Sequence, residues 1–188
     1  TIAGHTAARK LNSFCTMPVA TMSLALSTFV SQNKGAEKYE RIRKGVKIAN
    51  IMSICWGVII TVVLLFSAST LVKILSGSSE PTVIDNGALY LIINAPFYAV
   101  LGMLLNLRNS LQGLGKKVIP LASSIIEFLG KCIFVALFIP SLKYIGVIVC
   151  EPIIWCFMLV QLSYSFYKNP LIRGYKNEVN VLNEVGNN

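Results

Sequence analysis

Apolar residues in this chain neither alternate nor recur at the spacing of a one-sided helix. They come in near-continuous blocks, each about the twenty residues a helix needs to cross ~30 Å of hydrocarbon. Five such blocks stand out: Leu11 to Val30 with a start as early as Ile2, Ile48 to Leu75, Ala88 to Leu107, Val118 to Ile139, and Ile145 to Tyr167. With their ends included, the pattern predicts helices over about 2–30, 46–75, 86–109, 117–139 and 144–167. Helices are required because an open strand in lipid would leave backbone N–H and C=O groups unpaired. Transmembrane strands would show as alternating segments of ~10 residues, and none occur. The expected fold is an all-α, polytopic transmembrane bundle over residues 1–167. The tail, 168–188, is polar, with Asn at 169, 177, 180, 183, 187 and 188. It carries too little apolar surface to pack, so a loosely ordered tail is expected.

Composition narrows the class further. Hydrophobic residues make up 54% of the 188 and charged ones 13%, whereas a soluble domain carries about 25% charged residues. The five cysteines, Cys15, Cys55, Cys132, Cys150 and Cys156, all lie within apolar stretches. With no CxxC and no Cys/His cluster, they read as reduced packing residues rather than disulfides or metal ligands.

The formal charge of +9 would point to nucleic acid in a soluble chain. Here the loops account for it. Lys34, Lys38, Arg41, Arg43, Lys44 and Lys47 separate spans one and two; Arg108, Lys116 and Lys117 separate three and four; Lys168, Arg173 and Lys176 follow span five. Arg9, Lys10, Lys73 and Lys143, with the acids Glu80 and Asp85, fall on the other side, and Lys131 lies inside span four. The positive-inside rule then puts the basic loops and the C-terminus in the cytoplasm of a multi-pass cell-membrane protein, with Thr1 outside. The start of the sequence shows no signal-peptide pattern, so none is expected there. Five spans starting outside call for at least one preceding helix, so a longer parent protein is expected.

Several intramembrane residues are candidates for chemistry. Pro18, Pro96 and Pro152 sit mid-span in helices one, three and five. A mid-helix proline removes a hydrogen bond and bends the helix, which makes these candidate hinges as well as ordinary membrane-helix prolines. Glu127 and Lys131 lie in span four at i and i+4, the favourable order for a helical ion pair. Charges at this depth face a cavity or each other, so the pair is either part of a substrate cavity or a permanent polar clamp. Glu151, beside Pro152, is a proton carrier or cavity-lining group, or a brace for the kink. Asn50 and Asn94 lie deep enough to contact substrate or to bond across helices. His5 has no second histidine or acidic neighbour in sequence, which argues against a metal or catalytic role. No nucleophile elbow, P-loop or metal-ligand helix is present, so neither an enzyme nor a self-contained ATP-driven pump is expected.

Specific stretches carry a family resemblance. Ala25 to Arg43, ALSTFVSQNKGAEKYERIR, ends a small-residue-rich helix with Gln32, Gly35 and Ala36 before a charged loop. Leu107 to Lys116, LRNSLQGLGK, is followed by Pro120; then come the Glu127/Lys131 spacing and Glu151-Pro152 with Trp155. In order and spacing these resemble the multidrug and toxic compound extrusion (MATE) family over most of residues 1–167, with Gly35 read as the helix stop. The resemblance implies helices eight to twelve of a twelve-helix transporter, the C-terminal lobe of two pseudo-symmetric bundles. It further implies small organic cations or amphipathic compounds as cargo, Na⁺ or H⁺ as the exchanged ion, no other cofactor, and an N-terminal half of the same transporter as partner. One departure stands out. Some branches of the family carry a carboxylate in helix ten where this chain has Leu101, so coupling through that position is not expected. The reading is of part of a drug:cation antiporter working by alternating access in the lipid bilayer, with no nucleic-acid partner. The alternatives are a lipid or polysaccharide flippase of related fold, for which deep basic residues are scarce, a non-transporting membrane scaffold, and a membrane-embedded enzyme.

Overall fold

The computed structural model describes residues 2–77 and 79–173, with side chains from residue 4 onward except at 139–143. Thr1, the side chain of Lys143 and the tail beyond Arg173, including Lys176, lie outside the described residues. Of the described residues 93% are helical and none is in a strand. The elements are α1 (Ile2–Gly35), α2 (Tyr39–Ser76), α3 (Pro81–Asn94), a 3-10 turn (Ala95–Phe97), α4 (Tyr98–Gly113) and α5 (Val118–Tyr167). Five helical stretches are long and apolar enough to cross a membrane: Gly4–Gly35, Tyr39–Ser76, Pro81–Gly113, Val118–Phe138 and Tyr144–Tyr167. Most run past the predicted ends. Hydropathy marks only the lipid-facing middle, while the backbone continues its hydrogen bonds through polar residues toward the interface.

Two predicted spans differ in detail. The third is broken, not a single α-helix. Pro96 has no N–H to donate, and the ladder tightens into the 3-10 turn Ala95–Phe97 before α4 resumes. Pro18 and Pro152, by contrast, sit inside continuous helical elements. The fourth and fifth spans form one helical element, α5, yet it folds back on itself. Ile154 lies against Gly130, and Ile119 lines a groove with Ser165. These contacts are symmetric about residue 142, so the halves 118–138 and 144–167 run antiparallel.

The helix ends are closed by backbone geometry. After α1, Lys38 N–H donates to Asn33 O at 2.8 Å and Glu37 N–H to Lys34 O at 3.0 Å. After α4, Lys116 N–H donates to Leu111 O at 2.9 Å and Gly115 N–H to Gln112 O at 2.8 Å. Both are Schellman closures, which need a left-handed residue just past the helix. In the second that residue is Gly115, φ 78°. In the first it is Glu37, φ 57°, so Gly35 is not the stop expected from sequence; it is the last helical residue.

α4 is the central element and packs on α1, α2 and α5, while α3 lies against α1 and α2. Small residues let the backbones close in. A Cβ on Gly57 would meet the Ala99 backbone, one on Gly102 would meet Ser53 and Val19, and one on Gly113 would meet the Ser27 carbonyl. The buried core joins residues such as Val30, Ile42, Leu64, Leu91, Leu104 and Leu111. Outward, Ile51, Met52, Val58, Ile59, Phe66, Leu121 and Phe128 are exposed. An apolar surface this continuous is suited to lipid rather than water.

The connection between α1 and α2, that between α4 and α5, and the C-terminal end of α5 share one end of the bundle. Lys34 Nζ donates to Leu114 O at 2.9 Å, and Lys116 lines a groove with Tyr164 and Lys168. Among the described residues, the loops that sequence sorted as basic therefore gather at one end.

The start of the tail is more ordered than its composition implies. Asn169 and Ile172 are buried, and Arg173 N–H donates to Asn169 O at 2.9 Å in a short helical turn.

Candidate functional site

Opposite the basic end, three helices bring polar groups to Glu151. α1 supplies His5 and Arg9, α3 supplies Tyr90 and Asn94, and the second half of α5 supplies Tyr144 and Glu151. Tyr90 donates its hydroxyl to Glu151 Oε2 at 3.1 Å, and Arg9 Nη2 lies 3.9 Å from Glu151 Oε1. The Glu151 side chain is 21% exposed while Arg9 is 61% exposed. The carboxylate thus stays near the protein and its counter-charge can swing away into solvent. The His5 ring stands edge-on to Tyr90 (centroids 5.1 Å apart) and Tyr144 (5.9 Å). Tyr144 OH donates to Asn86 O at 3.0 Å, which pins the second half of α5 to α3.

Below this cluster the polar stripe continues inward. Asn94 is fully buried, and its Nδ2 donates to Tyr90 O at 2.9 Å and to Ile148 O at 3.4 Å. Its Oδ1 has no partner, nor do the hydroxyl of Tyr98, one turn further, and Oδ1 of Asn12 on α1. Buried acceptors left unpaired are unusual enough to need an explanation. The arrangement offers one carboxylate and several oxygen lone pairs to a cation or a proton.

Sequence reading singled out Glu151 and Asn94 and the structure brings them to one interface. It set His5 aside, counted Arg9 only as a loop charge, and did not single out Tyr90 or Tyr144. The signal was present as helical spacing: His5, Arg9 and Asn12 fall on one face of α1, and Tyr90, Asn94 and Tyr98 repeat every four residues.

Glu127 and Lys131 sit elsewhere. Lys131 Nζ donates to Glu127 Oε1 at 2.9 Å, as their spacing predicts. A third member comes from α4: Arg108 Nη1 lies 3.8 Å from Glu127 Oε2, and Arg108 Nη2 donates to Ser124. From sequence, Arg108 belonged to a basic loop. In the fold it reaches sideways, so Glu127 is shared by two cations and ties α5 to α4. Asn50 also has a cross-helix partner. Asn106 Nδ2 donates to Asn50 Oδ1 at 3.1 Å and to Ser53 Oγ at 3.0 Å, and Asn109 Nδ2 donates to Ser23 Oγ at 2.8 Å. These amides lock α4 to α2 and α1. Of the three candidate hinges, Pro96 lies between Asn94 and Tyr98 of the stripe that runs inward from Glu151. Pro152 adjoins Glu151 itself, and Pro18 lies inside α1.

No group of three or more His, Cys, Asp or Glu side chains able to hold a metal occurs among the described residues. No curated protein and no solved structure matches the chain significantly. A family model does: that of MatE matches residues 1–137, from α1 through most of the first half of α5. With apolar helical spans, closely packed glycines and intramembrane charges at the positions the match covers, the chain belongs to the MatE family of membrane transporters.

Proposed function

We propose that this chain is part of a secondary-active efflux transporter that exchanges cationic or amphipathic compounds for Na⁺ or H⁺ by alternating access. The basic end faces the cytoplasm of the cell membrane, and a second helical bundle completes the cavity. The observation that carries the reading is Glu151, a weakly countered carboxylate among unpaired buried oxygens at the end opposite the basic loops. A cation or proton arriving there would displace Arg9 and find ligands already in place. Loading would change the charge of the α1–α3–α5 interface beside Pro152 and near the 3-10 break at Pro96. Glu127, held by Arg108 and Lys131, fits a clamp better than a cargo site. Charge in the membrane persists where it serves binding or coupling, and of Glu127 and Glu151 it is Glu151 whose partner is the more exposed.

The test is transport by the full-length protein in proteoliposomes. An imposed Na⁺ or H⁺ gradient should drive flux of a cationic dye, and Glu151→Gln should abolish the gradient dependence while leaving the protein folded. Wild-type flux that ignores both gradients sinks the antiport reading. Gradient-driven flux that survives Glu151→Gln removes Glu151 from it.

A further inference from the structure

Where α5 ends at the basic face, a groove of ≈ 280 Å³ opens between the start of α5 and the segment after it, lined by Lys116, Ile119, Tyr164, Ser165, Lys168 and Asn169. Two of these side chains are cations, and among the described residues no carboxylate lines the groove. Lys168 Nζ donates to Tyr164 OH at 2.6 Å and lies 4.9 Å from the ring centroid. The exposed Lys168 ammonium is thereby positioned at the groove wall, where an incoming ligand can reach it. Lys168 also borders a neighbouring groove lined by Arg173 and Tyr167.

Asn169 supplies the second observation. The residue is 4% exposed. Its Oδ1 accepts Leu171 N–H at 3.1 Å, which fixes which end of the amide is nitrogen. That nitrogen, Nδ2, is buried and has no partner. A donor in this position is satisfied by an acceptor, and with two lysines lining the same groove the fitting acceptor is an oxyanion. The flanking surface is apolar: Val118 is 76% exposed and Tyr164 63% exposed. They stand where the apolar span gives way to the polar tail, the level of lipid headgroups.

We propose that this groove binds the phosphate of an anionic phospholipid headgroup, with Lys116, Lys168 and Asn169 as its ligands and the acyl chains along Val118 and Tyr164. Basic pockets between helices at this level attract acidic lipids, each basic residue contributing roughly a fivefold gain in binding. The site is independent of the cargo and of Glu151.

The full-length protein is placed in nanodiscs containing fluorescent phosphatidylglycerol or fluorescent phosphatidylcholine, and lipid retention is read by energy transfer from its tryptophans. Wild type should favour phosphatidylglycerol. Lys116→Gln with Lys168→Gln should lower that preference at least about fivefold. Asn169→Ser keeps an acceptor for Leu171 N–H but removes the Nδ2 donor, and should lower it by a smaller, measurable factor. Arg41→Gln with Lys47→Gln removes the same charge at the same end outside the groove and should leave the preference intact. An equal fall in that control pair, or no fall in the groove variants, overturns the site. Two further outcomes also overturn it: inorganic phosphate bound by these residues without any lipid preference, which makes the ligand a soluble anion, and a preference that emerges only on deleting residues 174–188, which makes the tail the occupant.

Discussion

Glu127 lies between two cations, and neutralising each member of the cluster in turn has ordered consequences. Glu127→Gln leaves Arg108 and Lys131 facing each other without a carboxylate. Lys131→Gln leaves Glu127 with Arg108, 3.8 Å away. Arg108→Gln leaves Glu127 with Lys131 at 2.9 Å but breaks the tie to α4. Removing one partner of a fully buried pair costs about 3–5 kcal/mol. The three side chains here are 21–38% exposed, so screening reduces the figure for Glu127→Gln to about 1–3 kcal/mol. Lys131→Gln should cost under ~1 kcal/mol, because the remaining pair is still neutral overall. The triple change to Gln at 108, 127 and 131 removes the imbalance and should recover most of what Glu127→Gln loses. Thermal unfolding in detergent, followed by size exclusion, reads the order, with roughly 2–4 °C expected per kcal/mol for a chain of this size. Lys131→Gln as harmful as Glu127→Gln, or a triple variant no better than Glu127→Gln, would refute the clamp. Drug efflux supplies a second reading. A stable triple variant with normal efflux confirms that the cluster is structural, and a stable one that fails only with cationic drugs makes it a substrate contact.

Three other outcomes can be checked in the same host. Gly113→Ala places a methyl 2.6 Å from the Ser27 carbonyl oxygen and should destabilise by about 1–3 kcal/mol, whereas Gly35→Ala, with nothing within 4 Å, should be neutral or slightly stabilising; equal unfolding temperatures for the two would contradict the packing. Asn106→Leu removes bonds to Asn50 and Ser53 but also an orphaned buried carbonyl, so a net loss of only about 0.5–2 kcal/mol is expected, read by the same melt; a loss beyond ~4 kcal/mol would mean the amide does more than join α4 to α2. Single cysteines at positions 38–47 of an otherwise cysteine-free protein should resist an impermeant thiol reagent in intact cells while one at Ser79 reacts, and the reverse pattern would invert the proposed orientation.

What the chain declares by itself is one-dimensional. The length of each apolar block sets the number of spans, because backbone polar groups cannot be left bare in lipid. The sorting of Lys and Arg into alternate loops sets which ends gather together, and the i,i+4 spacing of Glu127 and Lys131 sets their pairing. The order of short motifs was enough to mark the family that the match over residues 1–137 establishes. What only the tertiary structure decided is which faces meet. These helices are apolar nearly all round, so no amphipathic stripe announces the rotation of each about its axis. That rotation brings Arg108 from α4 to Glu127, sets Asn106 against Asn50, and gathers His5, Arg9, Tyr90 and Tyr144 around Glu151. It is fixed by close contact at Gly57, Gly102 and Gly113, where the shape of one backbone against another, rather than hydropathy, chooses the neighbour.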